Sequence, residues 1–141
     1  MQAVMSIEEM QAYLDEVFPQ IKGSFLLDHL DGKTTVMRLM VEDQHLRPGG
    51  TVSGPTMFAL ADVSAYVATL ACVGRKALAV TTHCSIDFMR KPVADRDLVA
   101  TAELLKLGRS LSVVSVSLRS EGQEGLVAHA SLTYSIPPEK S

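Results

Sequence analysis

The chain has 141 residues, 47% of them hydrophobic and 21% charged, with a formal net charge of −3. That length suits one compact domain over 1–141, and the apolar share excludes a disordered chain. The charge offers no basic field for nucleic acid. Two cysteines, Cys72 and Cys84, lack C-x-x-C spacing and read as reduced core residues of a cytoplasmic protein. Met1 to Ile7 shows no basic region ahead of an apolar stretch, so no signal peptide is expected.

In chain order, Ser6 to Ile21 opens as a helix. Ser6 is the cap, Glu9 stands three residues later as in a capping box, and Met10, Leu14, Val17 and Phe18 recur at helical spacing. Pro19 should end it. Two strand-like runs follow, Ser24 to Leu30 and Thr34 to Val41, separated by Asp31-Gly32, a two-residue hairpin signal. His45 reads as a loop residue on the polar way out.

The next stretch carries the most information. From Pro48 to Gly74 the one charged side chain is Asp62. A turn-rich opening leads to Ser53-Gly54-Pro55, and a long apolar helix should run to about Val73. Ser53 can cap it, Pro55 suits its first turn, and Gly74 is a fitting stop. A helix without a polar face is buried on most sides. The run is long enough to span a bilayer, about 20 residues being needed. A carboxylate near the bilayer centre is expensive, so no membrane partner is expected. Asp62 itself has two readings. It finds donors or a subunit seam, or it is a general base or nucleophile with a tuned pKa.

Four more strand-like segments close the chain: Ala77 to Met89, Leu98 to Leu107, Ser110 to Arg119 and Leu126 to Ile136. Pro92 to Asp97 is a loop, Gly108-Arg109 and Gly122 to Gly125 are turns, and Pro137-Pro138 ends the last strand. Short links favour antiparallel pairing. The expected class is α+β, an antiparallel sheet of about six strands wrapped around one long helix, with a short N-terminal helix. His29, His45, His83 and His129 show no ligand spacing, so no metal is implied.

This layout and its central motif resemble the hotdog fold, and most closely the PaaI-type acyl-CoA thioesterases of phenylacetate degradation. The resemblance rests on Arg47-Pro48-Gly49-Gly50-Thr51-Val52-Ser53-Gly54-Pro55 followed by Leu60-Ala61-Asp62 at the family's spacing. Ser85 to Pro92, Leu105 to Leu111 and Val127 to Ala130 resemble the family's later segments. The chain departs from the pattern at three positions. Arg47 stands where the family has Asn, Ser53 where it has His, and Pro55 where it has a second Gly.

The resemblance implies hydrolysis of an acyl-CoA thioester, with CoA as part of the substrate and no cofactor. Asp62 matches the catalytic carboxylate, and Gly54 matches the residue whose N–H receives the oxyanion. Thr81 aligns with a hydroxyl residue that assists the carboxylate; its other reading is an ordinary strand threonine. Ser53 is a cap, or else replaces the His as a water or carbonyl contact. Arg90, Lys91 and Arg109 with Ser110 are candidate contacts for CoA, or solvated strand ends, and Pro55 is a candidate substrate contact. Arg47 is a loop cation, or a cation that intrudes on the acyl pocket and favours a polar or acidic acyl group. Asp87 pairs with Arg90 or faces solvent.

Gly54 and Asp62 lie about 12 Å apart along one helix, too far for a single carbonyl to touch both. Hotdog proteins pair across a dimer, so the resemblance implies that Gly54 of one subunit meets Asp62 of the other. A tetramer is the family's usual state. Two alternatives stand beside hydrolysis: a hydratase or dehydratase of the same fold, which needs a His near the helix start, and a non-catalytic acyl-CoA binder.

Overall fold

A computed structural model describes residues 2–93 and 95–138. Met1, Ala94 and residues 139–141, which fall in the expected domain and in the expected loop at 92–97, lie outside the described residues.

Helix α1 spans Ile7–Val17 and is fixed at its start by the expected capping box. Ser6 Oγ accepts from the Glu9 N–H, and Glu9 Oε1 accepts from the Ser6 N–H, both at 3.1 Å. Met10 and Leu14 are buried beneath it. The α-helix stops short of Ile21. Pro19 starts a separate 3₁₀ turn, Pro19–Ile21, because its ring cannot sit in a continuing α-helix. Gln11 joins α1 to the sheet by accepting a bond from the Leu27 N–H at 3.0 Å, beside a register shift between Leu27 and His29.

Six strands form one antiparallel sheet: β1 Phe25–Leu30, β2 Thr34–Leu39, β3 Val80–Phe88, β4 Leu98–Leu107, β5 Leu111–Ser120 and β6 Ala128–Ser135. Their spatial order is β1-β2-β4-β5-β6-β3. Between β2 and β3 the chain runs as helix α2, Gly54–Val73, which carries it from β2, next to one edge of the sheet, to β3 at the opposite edge. The sheet wraps this helix, and α2 touches every strand. This is the hotdog layout that the sequence implied.

Period-two alternation explains the core. Met37, Ala100, Leu118 and Ala128 follow one another across β2, β4, β5 and β6 and are fully buried, as is Leu60 on α2. From Leu60 to Ala71 every residue of α2 is buried except Asp62. It is the one helix among the described residues long and apolar enough to cross a bilayer, and most of it is buried inside this sheet.

Several boundaries move. β2 ends at Leu39 rather than Val41, and β3 begins at Val80 rather than Ala77. Ala77 to Ala79 is held in a turn instead. The Ala79 N–H donates to the Lys76 carbonyl at 3.0 Å, and the Tyr66 hydroxyl donates to the Ala77 carbonyl at 2.9 Å. The β1–β2 link has three residues, Asp31 to Lys33, rather than two. Gly32 adopts φ +87°, and Asp31 Oδ1 accepts from the N–H groups of Lys33 and Thr34 at 2.9 and 2.7 Å. Cys72 and Cys84 are free, as expected, but only half-buried at the margin of the core.

The bond from the Thr34 N–H, then those from His29 and the Lys33 N–H, holds the Asp31 carboxyl well below the usual carboxylate range. A depressed folded value means that Asp31 stabilises the fold above the unfolded value of about 3.9 and that this contribution fades as pH falls below it. Asp31→Ala should therefore lower the urea midpoint at neutral pH. Its midpoint should also fall less than that of wild type as the pH is taken from about 5 to about 3.

Leu60→Ala should cost about 2–5 kcal/mol in equilibrium denaturation, since Leu60 is fully buried between α2 and the sheet. Leu105→Ala, at a residue 60% exposed on β4, should stay within about 0.5 kcal/mol of wild type.

Candidate active site

The approach to α2 is built by its backbone. Leu46 and Val52 form a bridge, the Arg47 N–H donates to the Thr51 carbonyl at 2.8 Å, and the Gly50 N–H donates to the Arg47 carbonyl at 3.0 Å. Gly49 and Gly50 take φ +97° and +79° in this tight reversal, a region that suits glycine. His45 is not a simple loop residue. It is buried at the end of a 3₁₀ turn, Asp43–His45, where its Nδ1 accepts from the Glu42 N–H and its carbonyl accepts from the Ser53 N–H, both at 2.9 Å. It thereby holds the chain that enters the helix.

At the helix start, Ser53 is extended (φ −73°, ψ 152°) and its Oγ accepts from the Thr56 N–H at 3.2 Å. The same hydroxyl donates to Thr56 Oγ1 at 2.8 Å, so it is engaged as a cap. A helix begins with four N–H groups that lack an intrahelical partner. Here Pro55 has none, that of Thr56 is capped by Ser53, and that of Met57 meets the Ser53 carbonyl at 3.1 Å. Among the described residues, the Gly54 N–H alone of this first turn has no protein acceptor. Gly54 borders a cavity of about 400 Å³ with Arg47, Thr51, Phe88, Arg90 and Lys91. A Cβ on Gly54 would touch the Phe88 ring at 3.5 Å, which shows how closely the end of β3 flanks it. The Arg90 guanidinium lies across Gly125, so a side chain there would displace it. Asp87 is exposed and forms no ion pair with Arg90.

Asp62 lies two turns further on and opens into a different cavity, of about 410 Å³. Its walls include Val17 and Phe18 at the end of α1, Tyr66, Ala79, Val80, Thr81 and Tyr134. Two hydroxyls converge on one carboxylate oxygen. Thr81 Oγ1 donates to Asp62 Oδ1 at 2.5 Å, and the Tyr134 hydroxyl reaches the same atom at 2.7 Å and the Asp62 carbonyl at 2.9 Å. Burial first, then the neighbouring Asp62 charge, pushes the Tyr134 phenol well above its ordinary value, although a bond with Thr81 works the other way. Tyr134 is therefore a protonated donor at any working pH. Oδ2 takes no bond from a protein donor among the described residues.

Gly54, Arg47, Arg90 and Lys91 thus gather at one cavity, with Pro55 exposed beside it, while Asp62 and Thr81 gather at another. Arg109 and Ser110 join neither. They border a third cavity, of about 550 Å³, at the C-terminal end of α2 with Val73, Lys76 and Ile136. No group of three or more metal-ligating side chains forms among the described residues. Sequence reasoning missed Tyr134. Its signal was the alternation of β6, which places a hydroxyl-bearing ring among inward apolar residues, where a buried phenol needs a partner.

The sequence pattern of the thioesterase superfamily matches residues 49–127, more than half of the chain. The crystal structure of a candidate thioesterase from Silicibacter sp. aligns with a TM-score of 0.92 at 59% identity, covering 98% of this chain and 96% of that one. Human acyl-coenzyme A thioesterase 13 is 29% identical over 111 residues, 79% of each chain. A mutant of the phenylacetic acid degradation protein PaaI from Thermus thermophilus aligns with a TM-score of 0.73 at 28% identity, over 84% of this chain and 99% of that one. The matched span runs from the glycine turn before α2 through Asp62 and Thr81 to the end of the β5–β6 turn, and on that ground this chain belongs to the thioesterase superfamily.

Proposed function

We propose that the chain hydrolyses an acyl-CoA thioester to the free acid and CoA, at a site completed between two copies. The observation that carries this reading is the pairing of one unsatisfied N–H, at Gly54, with one anchored carboxylate, at Asp62. Attack on a thioester carbonyl builds negative charge on its oxygen, and an unpaired N–H at a helix start, aided by the helix dipole, stabilises that charge. Asp62 promotes the attack through Oδ2. It takes a proton from water and returns it to the departing CoA sulfur, or it attacks the carbonyl itself and the resulting anhydride is then hydrolysed. The name of the human relative supports CoA as the leaving group.

The edge strand supports the two-copy arrangement. β3 ends the sheet and, among the described residues, has no partner on its outer side. Its Thr81 end lies beside Asp62 and its Phe88 end beside Gly54. Antiparallel pairing of two β3 edges sets the Thr81 end of one copy against the Phe88 end of the other, bringing Asp62 to the partner's Gly54. Along this border Val80, Phe88, Met89 and Phe58 are 37–56% exposed, an apolar seam suited to a second copy. Two such dimers would build the expected tetramer.

Thiol release from a panel of aromatic, short, medium and long acyl-CoAs tests the activity. Turnover of at least one member should vanish in Asp62→Asn with the fold intact. Thermal stabilisation by acyl-CoAs without turnover would instead favour the binder. Gly54→Pro deletes the proposed oxyanion donor at a position where proline is tolerated, and should lower kcat about 10²–10³-fold. Each variant is nearly inactive alone. Mixed one to one and allowed to exchange, they should recover about a quarter of wild-type activity, because half the dimers are hybrids with one intact site of two. No recovery after proven exchange would place both groups in one subunit.

Arg90 and Lys91 border the Gly54 cavity, and in this reading they receive CoA phosphates. Arg90→Ala/Lys91→Ala should raise KM for acyl-CoA about tenfold and leave KM for an acyl-pantetheine lacking the nucleotide unchanged.

A further inference from the structure

We infer that Tyr134 is a positioning residue for the reaction: its hydroxyl, together with that of Thr81, locks one oxygen of the Asp62 carboxylate and aims the other into the cavity. The inference rests on the hydrolytic reading above for its kinetic consequence but not for its geometry.

A carboxylate turns easily about its terminal torsion, where the rotamer wells are broad and two-fold. One hydrogen bond leaves it free to swing about that bond. Two donors approaching the same oxygen from different strands set the plane of the group. Strand register makes the convergence: Thr81 on β3 and Tyr134 on β6 are directly paired and both face α2. The donors bond Oδ1 at 2.5 and 2.7 Å, so the attacking or proton-accepting oxygen is Oδ2.

Tyr134 is itself held on all sides. It is 3% exposed and its backbone lies between Thr81 of β3 and Ser112 of β5. Ser112 is tied in turn to α2 through its hydroxyl contact with Thr69 Oγ1 at 2.7 Å. The Tyr134 ring rests against that of Tyr66, with centroids 6.0 Å apart and a tilt of 43°. Tyr66 is pinned by its bond to the Ala77 carbonyl at 2.9 Å. A donor on such a rigid support fixes its acceptor, which a mobile side chain could not do.

The test is steady-state kinetics of Tyr134→Phe, Thr81→Val and the double variant on the acyl-CoA that wild type turns over best, with crystal structures of wild type and Tyr134→Phe. Phenylalanine keeps the ring and its packing. Tyr134→Phe should lower kcat about 10- to 100-fold, the scale of a misplaced reacting group, with KM within about threefold of wild type. The Asp62 carboxylate should be turned, or split between orientations, in the variant crystal. Both donors are needed to set the plane, so the second loss adds little and the double variant should lose less than the product of the single losses.

A kcat within about twofold of wild type, a rise in KM alone, or a strictly multiplicative double variant would overturn the inference. If wild type turns over no acyl-CoA, the hydrolytic reading falls, and the carboxylate orientation still decides the role of Tyr134: an unchanged Asp62 in Tyr134→Phe overturns it. Should that variant not fold, the wild-type crystal decides, and a Tyr134 hydroxyl beyond hydrogen-bond reach of Oδ1 overturns it.

Discussion

Burial of α2 from Leu60 to Ala71, Asp62 apart, is the constraint on which the rest of the structure depends. A 20-residue helix without a polar face must be enclosed by something larger than a second helix, and a six-stranded sheet touching it from every strand does this. Enclosure explains the alternation of the strands and the run of alanines that lets strands and helix approach. It also isolates Asp62. A carboxylate on such a helix is tolerable only where the sheet stops or supplies donors. Both conditions hold here, with Thr81 and Tyr134 bonding one oxygen and a cavity facing the group.

In the proposed reaction the same helix sets the other half of the site at its beginning. Every residue from Ser53 to Met57 removes or satisfies a donor except Gly54: Ser53 caps, Pro55 has no N–H, and the N–H groups of Thr56 and Met57 are engaged. The replacement of the family's second glycine by Pro55 therefore leaves the N–H of Gly54 without a competing neighbour. The replacement of the family's His by Ser53 goes with a hydroxyl committed to the cap. The departures from the family pattern alter the surroundings of the Gly54 N–H and leave the donor itself in place.

Distance along α2 turns these local arrangements into a question of assembly. About 12 Å of helix separates the donor from the carboxylate, and each opens into its own cavity. The unpaired edge of β3 runs from one to the other. In the proposed reading a second copy meeting that edge would satisfy three needs at once: its open backbone hydrogen bonds, its exposed apolar side chains and the two halves of the proposed site.

What the sequence by itself determined is what depends on near neighbours along the chain. The cap, first-turn proline and stop of α2, the capping box of α1, the strand alternation and the solitary charge at Asp62 were all legible, because each is decided within a few residues. Thr81 was legible only through resemblance. The tertiary structure alone decided that Tyr134 shares an oxygen of Asp62 with Thr81, since strand register pairs residues 53 positions apart in the chain. It alone separated Arg109 and Ser110 from Arg90 and Lys91, and it buried His45 beneath the entrance to α2. Hydrogen-bond partners on neighbouring strands and the walls of a cavity are set by how elements pack, and no local pattern of residues encodes that packing.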